Sequence, residues 1–412
     1  MKAIAWFLSL FAFSILVSQS AMDLFATLLT IAVVVIGVQR YRQGESLRSL
    51  VPTTGFDVLF LVWIAVVAIS FVFTPLSDTE WAFRLLQFRW LFIFAAVVCA
   101  FRWLKPSAKI IPWASGLMIF CSVYAIGIWF LGRDPINPDY NMAPWSGGIR
   151  TGGFLSNAMV FGHVYGTAFC LFAGVTIAAL TREGHKRLPW LIAALLFCGV
   201  AVILSFTRGI WVAMAAAVLV MAFVRNWKLG LGVGVLGATA LPGLIAFWPK
   251  MGERLTLAFS SGDEREWIWS AHWQIFKDHP ILGVGYGENS KLVVEYYRAM
   301  GAPAYLDSAH AHNQVLHFLA GTGVVGAVVY IAVIIAFLTL TVRTVMRARA
   351  TDWFTQGLLL GSLGAQVAFV FGSLTEANFE HSKMKYVMIF AWSIAVWQSE
   401  RFSSVRSSPS KL

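Results

Sequence analysis

Long apolar runs separated by short polar connections follow one another along most of the chain. The runs are about 17–25 residues long, which is the length that an α-helix needs to cross a bilayer. Because they are continuous rather than alternating apolar and polar residues, they disfavour a β-barrel. The pattern predicts twelve membrane-spanning helices, at residues 3–18, 22–38, 55–73, 86–101, 110–131, 154–180, 189–206, 210–224, 229–248, 314–341, 354–374 and 384–399.

The least separated of these spans are residues 189–206 and 210–224, which are split only by Thr207, Arg208 and Gly209. The first span has Lys2 before an apolar core and small residues near its end, so it also has features of a signal peptide. Because a second span follows at once, we interpret it as an uncleaved first helix.

Composition agrees with the pattern, since 58% of the residues are hydrophobic and 12% are charged. A soluble domain carries about 25% charged residues, so we expect an all-α integral membrane protein. We predict one membrane domain with one large interruption. Residues 1–248 would hold spans one to nine, residues 249–313 an outer helical loop, and residues 314–412 the last three spans and a tail.

Positive charge is unevenly distributed between the connections. If the N-terminus lies in the cytoplasm, the cytoplasmic segments carry 18 of the 31 Lys and Arg residues and 5 of the 20 Asp and Glu residues. Cytoplasmic connections of membrane proteins are enriched in Lys and Arg, so both termini are predicted to be cytoplasmic. The basic composition is then a topology signal, and nucleic-acid binding is not needed to explain it.

The outer loop is rich in Trp, Tyr and charged residues. Its segment DEREWIWSAHWQIFKDHP has apolar residues near a 3.6-residue period, with Ser261 or Asp263 as a cap and Pro280 beyond its end, which predicts an amphipathic helix. ILGVGYGEN predicts a glycine turn, and SKLVVEYYRAMG predicts a second helix. The loop should therefore form a small helical cap on the outer face.

Arginines at the outer membrane edge run against the usual charge distribution and need an explanation. They are Arg84, Arg89, Arg150, Arg208 and Arg265. One interpretation is contact with lipid headgroups or a pair with a distant carboxylate, which we favour for Arg84 and Arg89. The other is an anion site, because guanidinium groups bind phosphate oxygens in bidentate fashion. Several arginines at one depth would suit a diphosphate, and Arg208 and Arg265 favour this second interpretation.

Histidines cluster where the outer loop re-enters the membrane. His310, His312 and His317 surround Asn313 in the segment AHAHNQVLHFLAG. For His310 and His317 an ordinary interfacial or helical role is favoured. A neutral imidazole at His312 could instead act as a general base toward a sugar hydroxyl.

Two further sets of side chains allow other interpretations. Asp307 with His310 and His312 could form a zinc site, but no HExxH or cysteine set accompanies them. The four cysteines lie inside spans, which favours packing over metal binding. Glu376 and Glu380 could be acids near the site, although solvation of an exposed loop is the favoured interpretation.

Three short segments together resemble the O-antigen ligase family. HNQVLHFLAGTGVVG fits its pattern H-[NSQ]-x9-G-x-x-[GTY], with His312, Asn313, Gly323 and Gly326 at the defined positions. RGIWV from Arg208 resembles the family's R-x3-[LV] element. REWIWSAHWQIFKDHPILGVGYG from Arg265 resembles its outer-loop arginine helix and the P-x-x-G-x-G turn that follows. The lead-in to the sixth span, which contains Arg150, resembles the family less closely.

The resemblance implies a membrane glycosyltransferase of the GT-C class in the bacterial inner membrane. It would transfer a polymerised glycan from undecaprenyl diphosphate to the lipid A–core oligosaccharide on the periplasmic face, with membrane lipids around it. His312 would be the base, and Arg208 and Arg265 would stabilise the leaving diphosphate. Arg84, Arg89, Arg150, His310 and Asn313 would contact substrate. No metal or cofactor is implied, and we expect a monomer.

Other functions are compatible with the same features. An O-antigen polymerase shares the donor chemistry and the layout, and a protein O-oligosaccharyltransferase differs in its acceptor. A transporter or flippase is a different class, but it should show ionisable residues near the midplane of several spans, which are scarce here. A purely structural membrane protein would not need lone arginines at the outer edge.

Overall fold

A computed structural model of the chain describes residues 1–46, 50–74, 81–138, 149–181, 183–249, 252, 264–306, 309–348 and 351–406. Within these ranges the secondary structure is entirely helical, with turns and short 3-10 segments between helices. The α-helices are α1 Lys2–Val17, α2 Gln19–Arg42, α3 Asp57–Val72, α4 Trp81–Leu86, α5 Trp90–Leu104, α6 Ile111–Leu131, α7 Ala158–Ala179, α8 Leu188–Leu204, α9 Arg208–Arg225, α10 Trp227–Phe247, α11 Glu264–Asp278, α12 Asn289–Ala299, α13 Gln314–Arg347, α14 Trp353–Gly372 and α15 Ser382–Arg406.

Every predicted span overlaps one of these helices. Nine segments of the described chain are helical, long and apolar enough to cross a membrane, and α1 and α3 are shorter apolar helices. The chain is therefore an all-α integral membrane protein with multiple spans, as the hydrophobic pattern predicts. The total of twelve spans and the domain boundaries remain predictions.

The helices α7 and α14 form the centre of the bundle. They cross so closely that a Cβ atom on Gly174 would lie 2.0 Å from the backbone nitrogen of Gly361. Small residues allow such backbone approach, which supplies van der Waals packing where lipid offers no hydrophobic driving force between helices.

The connection between α8 and α9 corrects one detail of the sequence interpretation. The prediction that Arg208 and Gly209 lie in this connection is wrong, because α9 begins at Arg208. Phe206 takes a left-handed conformation with φ of 51° and reverses the chain. The Thr207 hydroxyl donates to the Ala158 carbonyl oxygen at 3.0 Å, so the turn is closed before Arg208.

The outer loop contains both predicted helices, α11 and α12, so that prediction is confirmed. Their facing sides form a small core that includes Ile268, Ile275, Val293 and Tyr297. The proposed cap residues of α11 lie outside the described residues. The loop is thus held by its own apolar core as well as by the membrane helices.

The long helix α13 is interrupted at Gly323, whose φ of 65° and ψ of −169° are not helical. The turn after α11 fills this interruption. The amides of Val324 and Val325 donate to the carbonyl oxygens of Pro280 and Ile281 at 2.9 and 3.3 Å. The glycine turn that begins at Ile281 and the Gly323 position of the histidine motif are therefore in direct contact.

Replacing Gly323 with alanine should destabilise the protein by about 3 kcal/mol or more, because only glycine tolerates this backbone conformation at low cost. The added Cβ would also lie 2.1 Å from the Ile281 carbonyl oxygen. Thermal unfolding in detergent measures the effect. Gly237→Ala is the matched control, since nothing lies within 4 Å of a Cβ there. Equal stability of the two variants would contradict the prediction.

Candidate functional site

The connection between α14 and α15, residues 373–381, forms the base of the site. Its Phe379 is buried, and the ring packs against Trp63 and Trp90 with centroids at 5.2 and 5.5 Å. The Phe379 amide donates to the Gln314 side-chain oxygen at 2.5 Å. The connection is consequently fixed to the aromatic core of the bundle, and Glu376 within it is held in place.

Asn313 joins the start of α13 to this connection. Its side-chain oxygen accepts from the Leu316 amide at 3.1 Å and caps the helix, as asparagine commonly does. Its side-chain nitrogen donates to the Leu374 carbonyl oxygen at 3.3 Å. The next amide, that of Gln314, donates to the Ser373 carbonyl oxygen at 2.8 Å. These contacts give Asn313 a structural role, and its contact with substrate remains a prediction.

His312 forms a close pair with Glu376. Its Nδ1 lies 2.8 Å from Glu376 Oε2, while Glu376 Oε1 accepts from the Ala377 amide at 3.0 Å. Burial alone would raise the pKa of Glu376, but hydrogen bonds from His312 and His381 outweigh it and hold this pKa well below its ordinary value. The carboxylate is therefore ionised and can only accept, so the Nδ1 of His312 carries the hydrogen. That leaves the lone pair of the neutral ring on Nε2.

The backbone of His312 is itself unusual, with φ of 45°. A non-glycine residue in this left-handed region costs about 1–2 kcal/mol, and such positions cluster at functional sites. The cost is offset by the Glu376 pair and by the cap that follows at Asn313. The side chain of His312 stays partly exposed, at 21%, so a substrate can reach it.

Arg265 and the start of α9, where Arg208 lies, approach the same connection from two other elements. Arg265, at the start of α11, donates from Nη2 to the Thr375 carbonyl oxygen at 3.4 Å. Arg208 opens α9, and a Cβ on the next residue, Gly209, would lie 1.9 Å from the Thr375 hydroxyl oxygen. His312, Arg265 and the backbone at the start of α9, next to Arg208, therefore lie close to one segment, Thr375–Glu376, although they come from distant parts of the sequence.

Arg150 contacts the turn that precedes α9. Its Nε donates to the Ser205 carbonyl oxygen at 2.9 Å, and its Nη2 donates to the Thr207 hydroxyl at 3.3 Å. These bonds fix the chain just before Arg208. The geometry supports a positioning role, and direct contact of Arg150 with substrate remains a prediction.

Arg84 and Arg89 are held by carboxylates elsewhere in the protein. Arg84 Nε lies 3.2 Å from an oxygen of the buried Glu288, and its Nη2 donates to the Gly287 carbonyl oxygen at 3.1 Å. Arg89 Nη2 lies 2.8 Å from Asp23 Oδ1. Pairing with a distant carboxylate is the interpretation that the sequence favoured for both residues. Their proposed substrate contacts remain predictions.

The neighbouring histidines and acids form a continuous cluster. The ring of His310 lies 5.6 Å from that of His381 and 6.0 Å from that of His317, whose Nδ1 is 3.1 Å from the Asn289 side-chain nitrogen. Burial, with the adjacent His381, lowers the pKa of His310. The ring is therefore neutral near pH 7. His310 thus takes part in the site's surroundings as a polar, uncharged group.

Solvation in an exposed loop is the wrong interpretation for Glu376 and Glu380, since the side chains of both are buried. Glu380 accepts from the Tyr286 hydroxyl at 2.9 Å. Sequence patterns did not identify His163 and His381. His381 Nε2 lies 3.6 Å from Glu376 Oε1, and the buried His163 is near enough to Glu376 for an electrostatic interaction. A lone histidine inside an apolar span was a usable signal for His163, because such residues are rare and face the bundle interior.

The described His, Cys, Asp and Glu side chains also bear on metal binding. Among the described residues, no group of three or more His, Cys, Asp or Glu side chains could hold a metal ion. Asp307, a member of the zinc set considered from the sequence, lies outside the described residues. The functional groups that the structure places at this site are imidazole, carboxylate and guanidinium.

The buried His272, on the inner face of α11, should make the stability of the outer loop depend on pH. Burial lowers its pKa to about 3, below the ordinary value near 6.5. A group with a depressed folded-state pKa loses its stabilising contribution as the pH falls through the unfolded value. Lowering the pH from 7 to 5 should therefore cost about 2 kcal/mol of local stability in α11.

Amide hydrogen exchange in α11, corrected for its intrinsic pH dependence, measures this loss. His272→Gln removes the titrating group at the same position and should show a clearly smaller loss between the two pH values. The same pH dependence in both proteins would contradict the assignment to His272.

Comparison with known protein families bears on the same residues. Residues 193–331 match the family model Wzy_C, described as O-antigen ligase. This match supports membership of the O-antigen ligase family. The matched segment extends from α8 into α13 and contains Arg208, Arg265, His310, His312 and Asn313. The comparison with curated proteins gave no match.

The match to the O-antigen ligase family supports a ligase- or polymerase-type function in general. The family comprises membrane glycosyltransferase-like enzymes, ligases and polymerases, that act on lipid-linked glycans. Glu376 lies outside the matched segment, yet its carboxylate lies 2.8 Å from His312 Nδ1. The group of side chains around His312 thus extends beyond the matched segment into the α14–α15 connection.

Proposed function

We propose that the protein is an O-antigen ligase. It would move a polymerised glycan from undecaprenyl diphosphate to the lipid A–core oligosaccharide, as a metal-independent, inverting glycosyltransferase of the GT-C class. The observation that carries the proposal is the His312–Glu376 pair at 2.8 Å beside a segment that Arg265 and the start of α9 also contact. A base and two cations at one place suit a donor that is both a sugar and an anion.

The transfer step follows from these groups. Nε2 of His312 takes the proton of an acceptor hydroxyl, and the hydroxyl oxygen forms a bond to the anomeric carbon of the donor sugar. The bond from that carbon to the phosphate oxygen breaks, and its electron pair leaves with undecaprenyl diphosphate. Direct attack inverts the configuration at the anomeric carbon. Glu376 stabilises the imidazolium that forms on His312.

Arg208 and Arg265 would stabilise the charge that grows on the diphosphate as it leaves. Preorganised cations in a site of low dielectric constant act without rearranging during the reaction. They would take the place that a divalent metal has in many other glycosyltransferases. The diphosphate donor is already activated, so the reaction needs no nucleotide and no cofactor.

The membrane face on which the site lies is inferred from the distribution of Lys and Arg between the connections. With both termini in the cytoplasm, α11, α12 and the 373–381 connection lie on the periplasmic face of the bacterial inner membrane. The donor and the lipid A–core acceptor would both meet the protein there. We propose that it works as a monomer.

A reconstituted assay tests the proposal. Purified protein is given a defined lipid-linked glycan with either lipid A–core or a Ser/Thr peptide, and EDTA is present throughout. Glycan should move to lipid A–core. Transfer to the peptide alone would assign a protein O-oligosaccharyltransferase, and growth of the lipid-linked chain would assign a polymerase. Loss of transfer in EDTA would overturn the metal-independent mechanism.

A further inference from the structure

A cavity lies at the end of the bundle opposite the His312 site. Its volume is about 590 Å³. The residues lining it are Phe223, Val224, Arg225, Asn226, Trp227, Lys228, Val345, Ala348, Gln356, Leu359 and Leu360. They come from the end of α9, the start of α10, the end of α13 and the first turns of α14. The cavity is therefore formed where four membrane helices meet at one surface of the bundle.

The cavity is far from the His312 site. Helix α9 begins at Arg208 beside that site and ends at Arg225 in the cavity wall. Its 18 residues correspond to about 27 Å of helix, which approaches the thickness of the hydrocarbon core. The two sites consequently lie at opposite membrane faces, and the cavity is on the side predicted to be cytoplasmic.

The charged lining of the cavity has one sign. Arg225 and Lys228 line it, and no acidic side chain is among its described lining residues. Arg225 Nη1 donates to the Gln356 side-chain oxygen, and this bond holds the guanidinium at the wall. The Lys228 ammonium lies 5.8 Å from the centre of the Trp227 ring. Two positive groups thus lie at the cavity, and Arg225 is held at its wall.

The remaining wall is apolar and reaches the outer surface of the bundle. Leu359 and Leu360 are buried at its floor, whereas Phe223 and Trp227 are 43% and 62% exposed. Tryptophan favours the headgroup level of a membrane. A ligand for this cavity should therefore combine a negative headgroup with hydrocarbon chains.

We propose that this cavity binds an anionic phospholipid, with the phosphate between Arg225 and Lys228 and an acyl chain along the exposed Phe223 and Trp227. The anionic lipids of the cytoplasmic leaflet attract basic residues at this depth, with about 1 kcal/mol for each Lys or Arg. The site is separate from the glycan-transfer site and does not depend on the reaction assigned to that site.

Native mass spectrometry of the full-length protein tests the proposal. Phosphatidylglycerol is titrated against wild-type protein in detergent, with zwitterionic phosphatidylethanolamine in a parallel titration. Wild-type protein should retain phosphatidylglycerol preferentially. The variant Arg225→Gln/Lys228→Gln should bind it about 30-fold more weakly, since two cations are removed. Arg225→Lys/Lys228→Arg keeps both charges and should retain binding.

The matched control is Lys186→Gln/Arg343→Gln, which removes two exposed cations from the same predicted face outside the cavity. It should bind phosphatidylglycerol as wild-type protein does. Equal binding by the control and the Arg225/Lys228 double glutamine variant would overturn the proposal. Displacement of the lipid by an equal concentration of inorganic phosphate would also overturn it, by assigning the cavity to free phosphate.

Discussion

Replacing His312 with alanine should reduce glycan transfer by about 10²–10⁴-fold, which is the usual contribution of a positioned general base. The Glu376 contact at 2.8 Å fixes the tautomer with hydrogen on Nδ1, so the basic nitrogen is Nε2. Alanine removes this nitrogen. It leaves the cap at Asn313 in place, because that cap is made by the following residue. Initial rates with saturating donor and acceptor measure the effect.

The control for this variant is His185→Ala, which changes an exposed histidine in the short 3-10 helix just before α8, on the predicted cytoplasmic side. It should transfer glycan at the wild-type rate. Glu376→Gln keeps the shape of the side chain but removes the charge that orients the ring, so it should give a smaller loss than His312→Ala. A His312→Ala protein that folds and retains full activity would remove the base from the mechanism.

Alanine at Arg208 or at Arg265 should each lower the rate of transfer by about 10²–10³-fold, the range found when one donor to a developing anion is removed. The reason is that the diphosphate gains charge only as the glycosidic bond breaks, so each cation acts mainly in the transition state. The loss should therefore fall on kcat more than on KM. Lysine at either position keeps the charge but loses the bidentate geometry, and it should restore part of the rate.

Arg298→Ala is the matched control for these variants, because Arg298 is an exposed arginine at the end of α12 in the same outer loop. Its activity should equal that of wild-type protein. The double variant Arg208→Ala/Arg265→Ala should lose less than the product of the two single losses if both cations bind one diphosphate. If the rate loss of the double variant equals the product of the two single losses, the arginines act at separate places.

The helical architecture could be predicted from the sequence because it depends on local pattern. Apolar runs of bilayer length specify helices whatever their neighbours are, and the 3.6-residue period identified α11 within the outer loop. The start of α9 was placed two residues too late, at residue 210. That boundary depends on the bond from Thr207 to Ala158, which joins residues 49 positions apart and leaves no trace in the local pattern.

The site could be predicted only in part, for a similar reason. Side-chain chemistry pointed to His312, Arg208 and Arg265, since each is an unusual residue type at its membrane depth. Burial of Glu376 is decided by the packing of Phe379 against Trp63 and Trp90, so a charged residue in a short connection was taken for a solvated one. The partners of Arg84 and Arg89, Glu288 and Asp23, are likewise far away in the sequence.

The contact between the turn after α11 and the interruption of α13 also limits how the outer loop can move. If Pro280 and Ile281 withdrew, the amides of Val324 and Val325 would lose their acceptors within a largely apolar helix. Each such exposed amide costs several kcal/mol where water is absent. This end of the loop is therefore an anchor rather than a hinge, and the proposed lipid-linked donor would have to approach His312 without lifting it.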